Sequence, residues 1–208
     1  MRLYLASTSP ARLALLRSTG IEPVLIAPGV DEDAAAQAAG PLGSDELVQL
    51  LARAKAEAVV GRFVDGAPIT GLVLGGDSVF EVDGIAHGKP HLPRIARERW
   101  LHQRGHFGTL WSGHWLIQVE QGVTTKAVGR SAKAVVHFAA DITDSEIDAY
   151  VASGEPLEVA GAFTLDSLGA AFIDRIEGDP STVIGLSLPV LRRLCGELGV
   201  EWPELWNR

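Results

Sequence analysis

The sequence predicts an α/β (α+β) fold with a mixed β-sheet and flanking helices. Short apolar runs alternate with helical stripes as far as residue 110, the pattern of strands packed against helices. Beyond that point regular alternation fails, and the stretch 114–138 reads as hairpin strands, with Gln121-Gly122 near a turn. The composition, 47% hydrophobic and 21% charged over 208 residues, is that of a globular chain with enough apolar surface to offset its ordering entropy. Such a length makes one domain, or one core in two lobes, and buries roughly 70% of its extended surface.

Residues 2–6 read as a strand, and Ser9-Pro10 opens a helix, Ser as its cap and Pro at its first position. Leu13, Leu15 and Leu16 supply the apolar face and Gly20 the stop. Residues 23–27 read as a second strand. Residues 27–43, punctuated by Pro28, Gly29, Gly40, Pro41 and Gly43, read as a loop with room for a short Ala-rich helix over 34–39. Ser44 caps the next helix, with Asp45 and Glu46 in its first turn and Leu47, Leu50, Leu51, Ala54 and Ala58 as its stripe. Residues 72–75 make a short apolar strand, and Asp83-Gly84 turns a hairpin between 79–82 and Ile85. Residues 95–103 are helical. Thr143 and Glu146 form a capping box for a helix over 144–153, stopped by Gly154. Residues 163–165 and 170–173 read as short strands, and Ser187 starts a last helix ending near Gly199.

Charge and composition exclude several classes of function. Eighteen Lys+Arg against 26 Asp+Glu leave a net charge of −8, which argues against general nucleic-acid or anionic-membrane binding. No apolar run reaches the ~18 residues of a membrane span. The apolar start before Ser7 is too short for a secretory signal, so a cytoplasmic location is expected. The single Cys195 rules out an internal disulfide and a thiolate zinc site. The His87/His91 pair is broken by Gly88 and Pro90 and the His102/His106 pair weakened by Gly105, which argues against a zinc helix. Trp100, Trp111 and Trp115 are expected in a core or interface, and Trp202 and Trp206 as anchors of the C-terminus.

Four segments carry candidate chemistry. Ser7-Thr8-Ser9-Pro10-Ala11-Arg12 lies between strand and helix, where free N–H groups attract anions and Ser7, Ser9 and Arg12 add donors; it is also an ordinary capped helix with an exposed Arg. Gly75-Gly76-Asp77-Ser78 ends an apolar strand, so Asp77 either approaches a cation or water closely or sits in a plain turn. Gly88-Lys89-Pro90 is not a P-loop, because Pro90 stands where Ser or Thr belongs; Lys89 is either a phosphate-neutralising cation or a solvated turn lysine. Lys55, one of four lysines, sits beside its helix's apolar stripe and either snorkels at the core edge or reaches into a cleft.

Taken together, these segments resemble the Maf family, the septum-formation-inhibitor-like nucleoside triphosphate pyrophosphatases, in order over roughly residues 2–199. The resemblance also takes in Val30-Asp31-Glu32, Ala52-Arg53-Ala54-Lys55-Ala56, Ser112-Gly113, Ser153-Gly154-Glu155-Pro156, Ala160-Gly161-Ala162-Phe163, Gly178-Asp179 and Val183-Ile184-Gly185-Leu186. It implies a two-lobed fold on a long mixed β-sheet with flanking helices, like that of inosine triphosphate pyrophosphatase, one Maf-like domain over 1–208 with the site in a cleft between the lobes, and a homodimer. It further implies hydrolysis of a nucleoside triphosphate between the α and β phosphates, with Mg²⁺ or Mn²⁺ as cofactor. Carried onto this chain, Asp77 matches the catalytic acid. Ser7, Ser9, Arg12, Glu32, Lys55 and Lys89 match the polar pocket, with Lys55 and Lys89 acting on the phosphates, Ser78 beside the substrate, and Asp77 and Glu32 as the metal-holding pair.

The chain departs from the family's pattern at several positions. Ala11 stands where a large residue is usual, Ser78 replaces Thr, Val159 replaces Lys, and Asp166-Ser167 replaces Gln-Gly. Positions 11, 78 and 166 fall where branches of the family differ in base preference, so Ala11, Ser78 and Asp166 are the specificity candidates. Asp77-Ser78 is similar to the branch acting on dTTP and UTP. The competing expectation is a nucleotide-binding regulator of cell division without turnover, for which Val159, Asp166 and Ser167 leave room.

Overall fold

The computed structural model describes residues 1–208. The strands are β1 (Leu3–Ala6), β2 (Val24–Leu25), β3 (Phe63–Val64), β4 (Ala67–Pro68), β5 (Gly71–Val82), β6 (Ile85–His87), β7 (Phe107–Glu120), β8 (Val123–Phe138) and β9 (Ile173–Gly178). The helices are α1 (Pro10–Ser18), α2 (Glu32–Ala39), α3 (Ser44–Glu57), α4 (Pro93–Gln103), α5 (Asp144–Ala152), α6 (Pro180–Ile184) and α7 (Leu188–Glu197). Seven strands form one sheet in the order β2-β1-β5-β7-β8-β9, with β6 added on β5; β3 and β4 make a separate ribbon. The sheet is mixed: β1 is parallel to β2 and β5, whereas β6 and β9 are antiparallel to β5 and β8. No helix is long and apolar enough to cross a membrane.

The chain divides into two compact units, one of residues 1–77, 112–132 and 185–208, the other of 78–111 and 133–184. In the first, strand alternation sends Leu3, Leu5, Leu72 and Leu74 into one cluster with Leu16 of α1 and Leu191 and Leu194 of α7. Tyr4, Ala6 and Val73 face the other way, onto Ala56 and Val59. A sheet buried on both faces accounts for these nearly continuous apolar runs. In the second unit Phe80, Trp100, Phe138, Tyr150 and Phe163 pack together. Trp100 meets Phe138 and Tyr150 edge-to-face at 5.4 and 5.2 Å, the geometry that ring quadrupoles favour.

Local signals placed several elements where expected. Ser9, Thr143 and Ser187 cap α1, α5 and α7 with their side chains. Asp83-Gly84 and Gln121-Gly122 both have two positive φ angles, the mark of a type I′ hairpin turn. Other elements differ. The cap of α3 is Gly43, not Ser44, and the Glu46 carboxylate accepts the Gly43 N–H at 3.1 Å. The helix in the 27–43 loop is longer than 34–39 and begins at Glu32, capped by Asp31. The apolar strand does not end at Gly75; β5 runs on through Asp77 and Ser78 to Val82. The strands expected over 163–165 and 170–173 are absent: 160–162 and 168–172 are 3₁₀ turns, and β9 starts only at Ile173. Trp202 packs against the first unit's core, whereas Trp206 is largely exposed.

Candidate active site

The first unit carries a β1–α1–β2 connection to one side of β1 and a return through α2 and α3 to β5 on the other. A reversal of this kind in parallel strands leaves a crevice beyond their carboxyl ends, where ligands bind. The chain delivers its polar side chains there. β1 ends at Ala6, in register with Gly75; Ser7 follows β1, Glu32 lies beyond the end of β2, and Asp77 sits two residues past Gly75.

Ser7 Oγ accepts both the Ser9 N–H at 3.1 Å and Arg12 Nη1–H at 3.2 Å. Ser9 Oγ accepts the Arg12 N–H at 3.4 Å, capping α1. Arg12 Nε donates to the Gly185 carbonyl at 2.8 Å. Arg12 is 8% exposed. Burial pulls its pKa down, and the charges of Asp77 and Glu32 push back; a guanidinium still remains charged. A Cβ on Gly76 would lie 3.2 Å from Arg12 Nε, so the glycine makes room for the guanidinium.

Lys55 comes from the last turn of α3. A Cβ on Gly75 would lie 2.0 Å from the Ala52 carbonyl oxygen, and one on Gly113 2.1 Å from that of Val48. The two glycines therefore let α3 rest directly on the backbones of β5 and β7, which brings Lys55 to Asp77. Lys55 Nζ donates to Asp77 Oδ1 at 2.7 Å and lies 2.8 Å from Glu32 Oε1. Lys55 and Asp77 are both buried, while the Glu32 side chain is half exposed. The core-edge alternative for Lys55 is thus corrected: its ammonium joins two carboxylates. Asp77 stands within a continuous strand, not at a strand end or in a turn.

Arg12 and Lys55 balance Asp77 and Glu32 in charge. The two carboxylates converge on one ammonium, each using a single oxygen for it. No group of three or more His, Cys, Asp or Glu side chains is arranged to hold a metal ion. Two hard oxygen donors fit a Mg²⁺-like ion, which commonly takes one or two carboxylates and fills its other positions with waters and substrate phosphates. They do not fit zinc, which favours nitrogen and sulfur.

Of the remaining predicted residues, only Ala11 belongs to the same unit as this cluster. Ala11 is in the first turn of α1. Ser78, Lys89 and Asp166 belong to the second unit. Lys89 is exposed, with Nζ 3.9 Å from Glu158 Oε2. Its loop is held by Arg99, whose Nη1 donates to the Gly88 carbonyl at 2.6 Å. Asp166 is exposed on the segment that leads into the 168–172 turn. That segment is fastened by Glu155, which reading for charge alone passes over. Burial would raise the Glu155 carboxyl, but hydrogen bonds from Thr164, Ser167, the Gly169 N–H and Tyr150 outweigh it and hold the carboxyl at about 2. A cavity of about 390 Å³, lined by Val82, His87, Ile95, Glu98, Arg99, His102 and Gln103, opens in the second unit and contains none of the predicted site residues.

The family model described as Maf-like protein matches residues 2–198. A protein of Leifsonia xyli named nucleoside triphosphate pyrophosphatase is 67% identical, covering 100% of this chain and 98% of its own length. Proteins of the same name from Salinispora tropica and Rhodococcus opacus are 50% and 48% identical, over 100% and 97% of this chain and 88% and 94% of their own. Among solved structures, the Staphylococcus aureus Ham1 protein is similar at 13% identity with a TM-score of 0.41, over 67% of this chain and 73% of that one.

Proposed function

The chain belongs to the Maf-like family, and from that premise we propose that it is a nucleoside triphosphate pyrophosphatase, cleaving its substrate between the α and β phosphates. The observation that carries the reading is the buried cluster of Ser7, Arg12, Lys55 and Asp77 with the half-exposed Glu32. Relatives that bear this name and match over nearly their whole length support it.

In this reading the water oxygen bonds to a phosphorus at the α–β bridge, the bridging P–O bond breaks, and Asp77 takes the water's proton. Arg12 and Lys55 offset the charge that develops on the phosphate oxygens, in a site dry enough for that to count. Ser7 and Ser9 hold Arg12 and the start of α1, whose free N–H groups orient one end of the phosphate chain. Lys89 serves the phosphates from the loop that Arg99 fastens. Asp77 and Glu32 are the residues that would hold Mg²⁺ or Mn²⁺, which screens phosphate charge and acidifies bound water. For the base, the lean is to dTTP and UTP through Ser78, with Ala11 and Asp166 sharing the selection. A homodimer in the cytoplasm belongs to the same proposal.

The test is pyrophosphate release from a panel of dTTP, UTP, CTP, GTP and 7-methyl-GTP, with Mg²⁺, with Mn²⁺ and with a chelator. Turnover that chelation abolishes and either ion restores is expected. Nucleotide binding with no turnover anywhere in the panel would overturn the enzyme reading in favour of a regulator. Turnover indifferent to chelation would remove the cation.

A further inference from the structure

His114 is fully buried, and no step above uses it. Its Nε2 receives the Ser187 backbone N–H at 2.7 Å, and its Nδ1 lies 3.0 Å from the Arg130 carbonyl oxygen. A backbone N–H can only donate, so Nε2 must carry no proton. A carbonyl can only accept, so Nδ1 must carry one. A single neutral tautomer satisfies both neighbours, and the imidazolium would set one N–H against another.

The segment that His114 holds is the one Arg12 leans on. Gly185 gives its carbonyl to Arg12 Nε at 2.8 Å, and Ser187, two residues on, is the N-cap of α7. Arg12 in turn reaches Ser7 Oγ through Nη1. A continuous line of hydrogen bonds and short backbone therefore runs from β8 through His114 to the guanidinium, all of it in the first unit. The direction of a guanidinium fork decides whether it meets a phosphate edge-on.

We propose that His114 is a positioning residue: as the Nδ1–H tautomer it fixes residues 185–187, and through the Gly185 carbonyl it sets the direction of Arg12 toward the substrate's phosphates. The proposal rests on Arg12 being a phosphate ligand. It assigns His114 no contact with substrate and no proton transfer.

The experiment combines a spectrum with a double-mutant cycle. In wild type, ¹⁵N spectra of the His114 ring should show a protonated Nδ1 and a bare Nε2; a protonated Nε2 would overturn the proposal whatever the variants do. Binding of a non-hydrolysable α,β-methylene nucleoside triphosphate is then measured for His114→Phe, His114→Gln, Arg12→Ala and each pair with Arg12→Ala. His114→Phe keeps the ring's volume and loses both bonds, and should weaken binding about tenfold, a coupling within the range for residues sharing one network. His114→Gln keeps an acceptor for Ser187 and should recover most of that loss. In the Arg12→Ala background both substitutions should have no further effect. An undiminished effect there would show that His114 does not act through Arg12. Should the Phe variant fail to fold, the Gln variant and the wild-type spectrum still decide. An Arg12→Ala chain that binds as well as wild type would instead sink the phosphate role of Arg12, a separate failure from that of the His114 link.

Discussion

Lys55 holds two carboxylates at once, and this constrains what each substitution at the cluster can do. Breaking a buried pair by deleting one partner is costly because a charge is left behind. Asp77→Asn keeps an oxygen for Lys55 Nζ and leaves Glu32 as the counter-charge, so its fold should survive. Without a proton acceptor, kcat should fall at least about a hundredfold. A wild-type rate, measured by pyrophosphate release, would remove Asp77 from the chemistry. Lys89, exposed beside Glu158, has no buried partner to strand. Lys89→Ala should leave thermal stability unchanged and raise the Kd for a triphosphate more than for a monophosphate, read by calorimetry. Glu155 offers a pH handle. Its folded-state value of about 2 lies below the ordinary 4.5. The stability it contributes is therefore present above 4.5 and lost as pH falls toward 2. Acid unfolding of Glu155→Gln should lack that part of the slope; an acid limb identical to wild type would contradict it.

At the scale of elements, α3 is placed by what its neighbours omit. Gly75 and Gly113 leave no Cβ between the helix and the strands. In Gly75→Ala the new methyl would meet backbone, which cannot swing aside as a side chain can. The substitution should cost about 1–3 kcal/mol or more, lowering Tm by roughly 2–4 °C for each kcal/mol in a chain of this size. It should also displace Lys55, so activity should fall in molecules that remain folded. A Tm within a degree of wild type would mean that α3 does not rest on β5 as described.

The same elements show what the sequence made legible. Helix caps at Ser9, Thr143 and Ser187 and the two I′ turns are local, written within four or five residues, and they were readable. The Gly75–Ser78 stretch carries turn residues, yet it is strand, because its glycines answer to α3 and Arg12, which local sequence does not display. Residues 163–173 have strand-like composition, but the Leu168 and Gly169 N–H groups go to Glu155 instead of a neighbouring strand. Ser7, Arg12, Glu32, Lys55 and Asp77 were all legible as candidates. That Lys55 joins Glu32 to Asp77 was not, since it depends on α2 beginning at Glu32 and on the helix-to-strand contact. His114 and Gly185 carry no chemical signature in sequence; only the direction of their hydrogen bonds reveals them.

At the scale of the molecule, neither unit is a continuous stretch of chain. The first is assembled from three segments, and its last, 185–208, supplies Leu186, Val190, Leu191, Leu194 and Leu198 to the cluster that holds Leu3 and Leu5. Removal of 185–208 should therefore uncover Leu3, Leu5 and Leu16 on one face of the first unit's sheet, and take away the carbonyl that Arg12 uses. Limited proteolysis of the shortened chain should show rapid loss of residues 1–77; protection equal to that of the full chain would refute this account.

This interleaving has a consequence for the order of events at the ribosome. β1 and α1 are made well before α7, the helix that covers their apolar face. Leu3, Leu5 and Leu16 must wait while residues 78–184 are made, so the second unit is complete before residues 185–208 leave the exit tunnel. The stretch from Ser7 to Arg12 is thus made well before the segment whose Gly185 carbonyl locks it in place. A half-made chain can hold Ser7, Ser9 and Arg12, but it does not yet hold the carbonyl to which Arg12 donates.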